Sequence, residues 1–252
     1  MRYSTLIPAL LCIGLNAWSW AARADDYQVV TEEWPPYNYV ENNQLTGMTT
    51  DIVRAIMALT GDSFAMRLLP SMRTTRALDT HRKTISYSMF RTAERESLYK
   101  WVGPIAEESI YPYQLASASQ PVNSREQLLQ APQITTRQAG LIPRVLHAQG
   151  FTNLDQSATG DQQLYRMLLA SRTSLIIGDT ARGVAYYSRQ LHIPAGTLRQ
   201  VPIEVYRASL YIAFSRDSDD KVVAAWSSAL EQLRHSGELQ RIQQKYDPPP
   251  AP

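Results

Sequence analysis

Short β-branched or tyrosine-containing runs alternate with amphipathic helical segments along this chain, and that alternation constrains its fold more than any other feature. YQVVT (27–31) reads as a strand. From Thr50 onward Ile52, Val53, Ile56 and Leu59 share one helical face, and Gly61 supplies a stop. ISYSMF (85–90) alternates apolar with small polar residues, the pattern of a strand with one face on a core. LIIG (175–178) reads as a buried strand entering a turn at Asp179, and Val222, Trp226, Ala229 and Leu233 form an amphipathic stripe that ends at Ser236–Gly237. Strand–helix alternation predicts an α/β architecture with mostly parallel sheet. IYPYQLAS (110–117) and VYRASLYIAF (205–214) are extended and lack helical period. They are the expected crossing points between two lobes, with the middle of the sequence forming the second. No internal repeat is evident, and the PPPAP ending reads as a loose tail.

The N-terminus reads as a secretory signal. Met1 and Arg2 precede the apolar stretch LIPALLCIGLNAW, and Ala22-Arg23-Ala24 gives a small-x-small ending before Asp25. The apolar stretch falls short of the roughly 20 residues that span a bilayer. Removal after Ala24 is the expectation, with residues 1–24 as signal peptide. Cys12, the only cysteine, lies inside this segment, and Ala9-Leu10-Leu11 lacks the small residue that precedes a lipid-modified cysteine. A soluble exported chain without disulfides follows, of about 230 residues, long enough to rely on its core.

Charge narrows the partners. The 25 basic residues include Arg2 and Arg23, which leaves basic residues after Ala24 equal in number to the 23 acidic ones. A balance near zero gives no electrostatic footprint for nucleic acid or an anionic membrane. His81, His147, His192 and His235 stand too far apart for a paired metal motif, and no nucleophile elbow, P-loop or dinucleotide fingerprint occurs. No catalytic residue, metal or cofactor is expected.

Three places carry possible binding chemistry. In TEEWPPYNY (31–39) Trp34 sits just past the first strand, where a flat aromatic can cover an apolar group or a cation; packing against its own prolines is the alternative. Tyr37 is a further ligand candidate in this loop, Tyr39 reads as packing, and Glu32 and Glu33 are loop acids able to meet a basic group or remain solvated. In MFRTAERESLYKWVGPI (89–105) the strand ends near Phe90, so Arg95 lies past its edge, where its fork can hold a carboxylate. A helix-start ion pair with Glu94 or a neighbour would use the same side chain. Asp179 stands at a strand end, where open α/β sheets place ligands, and would attract an ammonium group; it would equally serve as a helix N-cap.

These elements, in this order, resemble the periplasmic solute-binding proteins of bacterial family 3, the polar amino acid type. The resemblance rests on TEEWPPYNYVENNQLTGMTTDIVRAI, FRTAERESLYKWVGPI, LIIGD, YIAFSRDSDDKVVAAW and ALEQLRHSGELQRIQQKY, and covers essentially all of the chain after the signal. It implies two α/β lobes, each a mostly parallel sheet flanked by helices, joined by two hinge strands and closing over a small molecule. Lobe one would be 25–109 plus 209–252, and lobe two 110–208.

By position, Trp34 matches the aromatic that stacks on the ligand, Arg95 the arginine that grips an α-carboxylate, Ser88 a strand position that touches the ligand, and Asp179 the acid that receives an α-ammonium. Phe90 and Arg91 precede the arginine signature, and Arg91 adds a possible second cation. Ala139 and Gly140 stand where the family has glycine followed by Ser or Thr, and THRKT (80–84) lacks the usual Gly and Asp. The resemblance further implies a monomeric periplasmic protein that delivers an amino acid or related carboxylate to an ABC permease of the inner membrane. A periplasmic sensory subunit and a lyase like the cyclohexadienyl dehydratases are the alternatives from other classes.

Overall fold

A computed structural model of the chain describes residues 27–247. The expected signal peptide and the PPPAP tail lie outside the described residues. The first part of the chain runs β1 (Gln28–Thr31), β2 (Tyr39–Glu41), β3 (Gln44–Thr46), α1 (Met48–Thr60), β4 (Ala65–Leu68), α2 (Ser71–Thr80), β5 (Thr84–Phe90), α3 (Ala93–Glu96) and the long β6 (Lys100–Leu115). Next come α4 (Arg125–Gln130), β7 (Ile134–Arg137), α5 (Leu141–Ala148), β8 (Leu154–Ala158), α6 (Asp161–Leu169), β9 (Ile176–Thr180), α7 (Ala181–Gln190) and β10 (Leu198–Gln200). The chain returns through β11 (Tyr206–Phe214) to α8 (Asp220–His235) and α9 (Glu238–Gln244).

One continuous sheet runs in the order β4-β1-β5-β11-β6-β9-β7-β8, with β10 paired to β6, and β2-β3 form a separate hairpin. Its wings are parallel: β1 with β4 and β5, and β7 with β8 and β9. The centre is antiparallel, because β6 and β11 each run through both halves. Along β6, Val102, Ile105 and Ala106 pack in one apolar core, while Ile110 belongs to another. Along β11, Leu210, Ile212 and Phe214 join the first core, and Tyr206 packs against both. The two extended segments singled out in the sequence fall on or overlap β6 and β11, the two strands that contribute to both cores.

Lobe one packs α1 and α8 on its sheet. The buried face of α1 is Ile52, Val53, Ile56 and Met57, and the helix ends where Gly61 adopts φ 74° and its N–H bonds to the Met57 carbonyl. Trp226 of α8 is fully buried, 5.3 Å from the ring of Phe214, and its indole N–H donates to Asp62 at 2.7 Å. In lobe two, α4 starts at a capping box formed by Ser124 and Gln127.

The alternation in β5 predicted one buried face, but all seven of its residues are buried. With β1 and β11 as its neighbours and α1 and α2 both packed on it, β5 is an interior strand. Its small polar residues mark close packing beneath a cavity rather than a solvated face.

Candidate functional site

A cavity of about 930 Å³ lies between the two lobes. One wall comes from lobe one: Glu32 and Trp34 after β1, Ser86 to Phe90 of β5, Arg95 of α3, and residues of α2. The facing wall comes from lobe two: Arg137 to Gly140 after β7, residues of α5, and Gly178 of β9. Both walls are built at the carboxyl ends of parallel strands, where open α/β sheets place their ligands.

The Trp34 loop is tied into shape by its backbone. Trp34 N–H donates to the Asn38 carbonyl at 2.7 Å, and Asn38 N–H returns to the Trp34 carbonyl at 3.0 Å. The indole is mostly buried, its ring centroid 4.3 Å from Tyr37 and 5.6 Å from Phe90 in tilted contacts, and it lines the cavity. The two readings of Trp34 thus coincide: the ring packs within its own lobe and also forms cavity wall.

Ser88 has φ 64°, in the left-handed region, where the opposing register between β5 and β11 shifts. Such backbone costs on the order of 1 kcal/mol and gathers at ligand clamps. Its hydroxyl is held by Thr49 at 2.6 Å and by the Asn38 carboxamide oxygen. The neighbouring Ser86 hydroxyl is buried on the same wall without a hydrogen-bond partner.

Arg95 reaches the cavity from α3. Its guanidinium makes one hydrogen bond, Nη1 to the Phe90 carbonyl at 3.2 Å, and no ion pair among the described residues. The ion pair weighed for Arg95 forms at Arg91 instead. Arg91 Nε donates to Glu96 at 2.6 Å, and its guanidinium lies over Tyr211 and Trp101 at 5.1 and 5.8 Å. That bond to Glu96 raises the pKa of Arg91. Arg91 is spent on the lobe-one surface and does not line the cavity.

The structure does not bring Asp179 to the cavity wall. Successive residues of a strand face opposite sides, and it is Gly178 that lines the cavity. The Asp179 carboxylate lies under the first turn of α7, accepting from Tyr165 Oη at 2.9 Å and from Thr180 N–H at 2.8 Å. Burial, then the nearby Asp161 charge, pushes its pKa well above the ordinary range. It is not the helix N-cap either, because Thr180 holds that place, its hydroxyl accepting from Gly183 N–H at 3.1 Å.

Of the remaining candidates, Gly140 lines the cavity and caps α5 with φ 116°. Tyr37 is fully buried and bonds Thr180, and Glu33 is exposed; neither lines the cavity, whereas Glu32 does. Tyr39 packs 5.1 Å from Tyr186.

The sequence reading missed Arg137, the last residue of β7. It projects into the cavity and donates to Asp161 at 3.2 Å. Asp161 is almost wholly buried, and burial raises its pKa although Arg137 acts in the opposite direction. The available signal was a cation closing a β-branched strand, ITTR, much as Arg95 follows ISYSMF. Among the described residues no group of three His, Cys, Asp or Glu side chains gathers for a metal. No helix there is long and apolar enough to cross a membrane.

The family model of bacterial extracellular solute-binding proteins, family 3, matches residues 27–248. The chain belongs to that family. No match was found among curated proteins. Solved structures of similar fold include a histidine kinase sensor domain with similarity to periplasmic binding proteins, at TM-score 0.76 and 20% identity, covering 89% of this chain and 96% of that one. The GluR0 ligand-binding core from Nostoc punctiforme, solved with L-glutamate, aligns at TM-score 0.74 and 18% identity over 88% of this chain and all of the other. A probable amino-acid ABC transporter extracellular-binding protein from Bacillus subtilis aligns at 0.72 and 16%, over 89% and 98%. These likenesses establish the two-lobe binding-protein fold.

Proposed function

We propose that this solute-binding protein clamps a small polar solute, an amino acid or related carboxylate, between its lobes and presents the closed form to an ABC permease. The observation that carries the reading is Arg95. It is a cavity-wall guanidinium with no ion pair among the described residues, beside the ring wall of Trp34 and Phe90. Such a fork takes a carboxylate through two parallel hydrogen bonds, and closure strengthens them by excluding water.

The lobes divide at 25–109 plus 209–252 and 110–208, so that β6 and β11 serve as the hinge. Export through a signal peptide removed after Ala24 places the monomer in the periplasm. The cleft binds without chemical turnover, and release of product from prephenate or arogenate would overturn that part.

Thermal-shift screening of amino acids and carboxylates tests the reading. A ligand at 100 times its dissociation constant adds about 2.7 kcal/mol to stability. Arg95→Ala should abolish the shift, and an unchanged affinity in that variant overturns the carboxylate grip.

The similarity to a histidine kinase sensor domain supports a second output, in which the same clamp reports occupancy to a membrane receptor. The two separate in membranes. The loaded protein stimulates permease ATPase activity if it serves transport, and receptor autophosphorylation if it serves sensing.

A further inference from the structure

Two guanidiniums face one cavity from opposite lobes, and among the described residues each has most of its donors unused. Arg95, past the end of β5, gives one hydrogen bond to the Phe90 carbonyl. Arg137, at the end of β7, gives one to Asp161. A guanidinium has five N–H donors in a fixed fork, so each arginine keeps several for an anion. The other cavity arginines, Arg76 and Arg144, are exposed.

From this arrangement we infer that Arg137 is a second ligand-anchoring residue and that the ligand is a dicarboxylate, its two acidic groups held by Arg95 and Arg137. The inference rests on the proposed carboxylate clamp and assigns the class of its ligand. Closing the lobes gathers both cations around one molecule. A single carboxylate would leave the cavity-facing donors of one fork desolvated without an acceptor, even though Arg137 keeps its pair with Asp161, which is costly.

Asp161 is a positioning residue. One carboxylate oxygen holds Arg137 Nη1, and the other is buried without a hydrogen-bond partner. It thus anchors one arm of the guanidinium and leaves the rest of the fork to the cavity. Gly140 completes the arrangement, because a Cβ there would stand 3.2 Å from Arg137 Nη2 and press on the guanidinium. Glu32, on the lobe-one wall, acts on the Arg137 charge and is the acid that a ligand ammonium would meet. Amino and desamino dicarboxylates therefore share the anchoring chemistry and must be separated by titration.

The test is calorimetric titration of the purified protein with aspartate, glutamate, succinate and glutarate, and with asparagine and glutamine as mono-amide counterparts. At least one diacid should bind about tenfold or more tightly than its mono-amide, because a charge-assisted pair is lost with the amide. If only aspartate or glutamate binds, the ligand is an amino dicarboxylate; if succinate or glutarate binds as well, the amino group is dispensable. Arg137→Gln should lower diacid affinity about tenfold more than amide affinity, so that the diacid-to-amide ratio falls toward one. Should Arg137→Gln fail to fold because Asp161 is left buried and unpaired, the Arg137→Gln/Asp161→Asn double variant removes both charges and reads the same ratio. Asp161→Asn should lower the diacid-to-amide ratio, which a purely structural role would not move.

Equal affinity for acid and amide, or equal loss of both in the Arg137 variants, overturns the dicarboxylate assignment and leaves the clamp intact. Tight binding of a monocarboxylate amino acid from the wider screen, with none of the diacids, has the same consequence. No binding by any carboxylate overturns both the inference and the function on which it rests.

Discussion

The phenol of Tyr37 and the hydroxyl of Thr180 meet at 2.7 Å between the two lobes, although 143 residues separate them in the chain. Beside them Arg182 joins Glu108 of β6 at 2.5 Å and Asp247 beyond α9 at 2.6 Å. Among the described residues no side-chain hydrogen bond joins the two cavity walls. The polar ties between lobes therefore sit at the junction, and what joins the cavity walls is apolar, with Leu141 of α5 packed against the lobe-one core.

Tyr37→Phe deletes one of those ties without changing the ring packed on Trp34. A loss of about 1 kcal/mol in unfolding free energy is expected, measured by urea denaturation. An unchanged denaturation midpoint would show that the bond contributes nothing net.

Arg182→Met leaves Glu108 buried without its cation. Breaking such a pair should cost about 3 kcal/mol at neutral pH. The Glu108 pKa is already raised by burial, with Arg182 acting to lower it, so removing Arg182 raises it further. The folded state then binds a proton that the unfolded state releases near pH 4.3, so the penalty grows as pH rises above about 4.3 and fades below it. Denaturation at pH 4.5 and 7.5 checks this, and a penalty independent of pH would sink it.

Asp179 makes a second pH prediction. Its folded pKa lies well above the unfolded value, so the native state holds the proton more tightly. Stability is therefore full below about pH 3.9 and falls as pH rises from there toward the folded pKa, by at most about 1.4 kcal/mol per unit. Asp179→Asn should flatten this fall and be the more stable protein at pH 8. Parallel stability curves for the two proteins would show that Asp179 does not titrate in this way.

Gly183→Ala tests why Asp179 can lie inward. A Cβ at 183 would stand 1.7 Å from the Asp179 carboxylate, so the side chain must move or the helix must shift. A loss of about 2 kcal/mol is expected, as in overpacked cores. Adding Asp179→Ala should recover much of it; no recovery would place the strain elsewhere.

Much of the fold was legible in the residues. The strand at 27–31, the helix stopped by Gly61, the Trp226 helix and both crossing segments rest on local periodicity and turn chemistry. The site was legible only in part. Trp34, Ser88, Phe90, Arg95 and Gly140 all line the cavity. Arg91, Asp179, Tyr37 and Glu33 do not, and spacing could not have shown it. Arg91 had Glu96 five residues away and the Tyr211 ring from a distant strand, and only folding brings the latter into reach.

The sequence by itself determined the strand–helix alternation, the strands and helices at β1, α1, β5, β9 and α8, and the two extended crossing segments, because hydrophobic period, caps and breakers act over a few residues. The tertiary structure alone decided which charges face the cavity. Whether Asp179 turns under α7 or Arg137 faces the cavity depends on Tyr165, Gly183 and Asp161, which meet only after α6, α7 and the sheet have packed. A side chain's direction is set by the neighbours that bury or pair it, and those neighbours are remote in the chain.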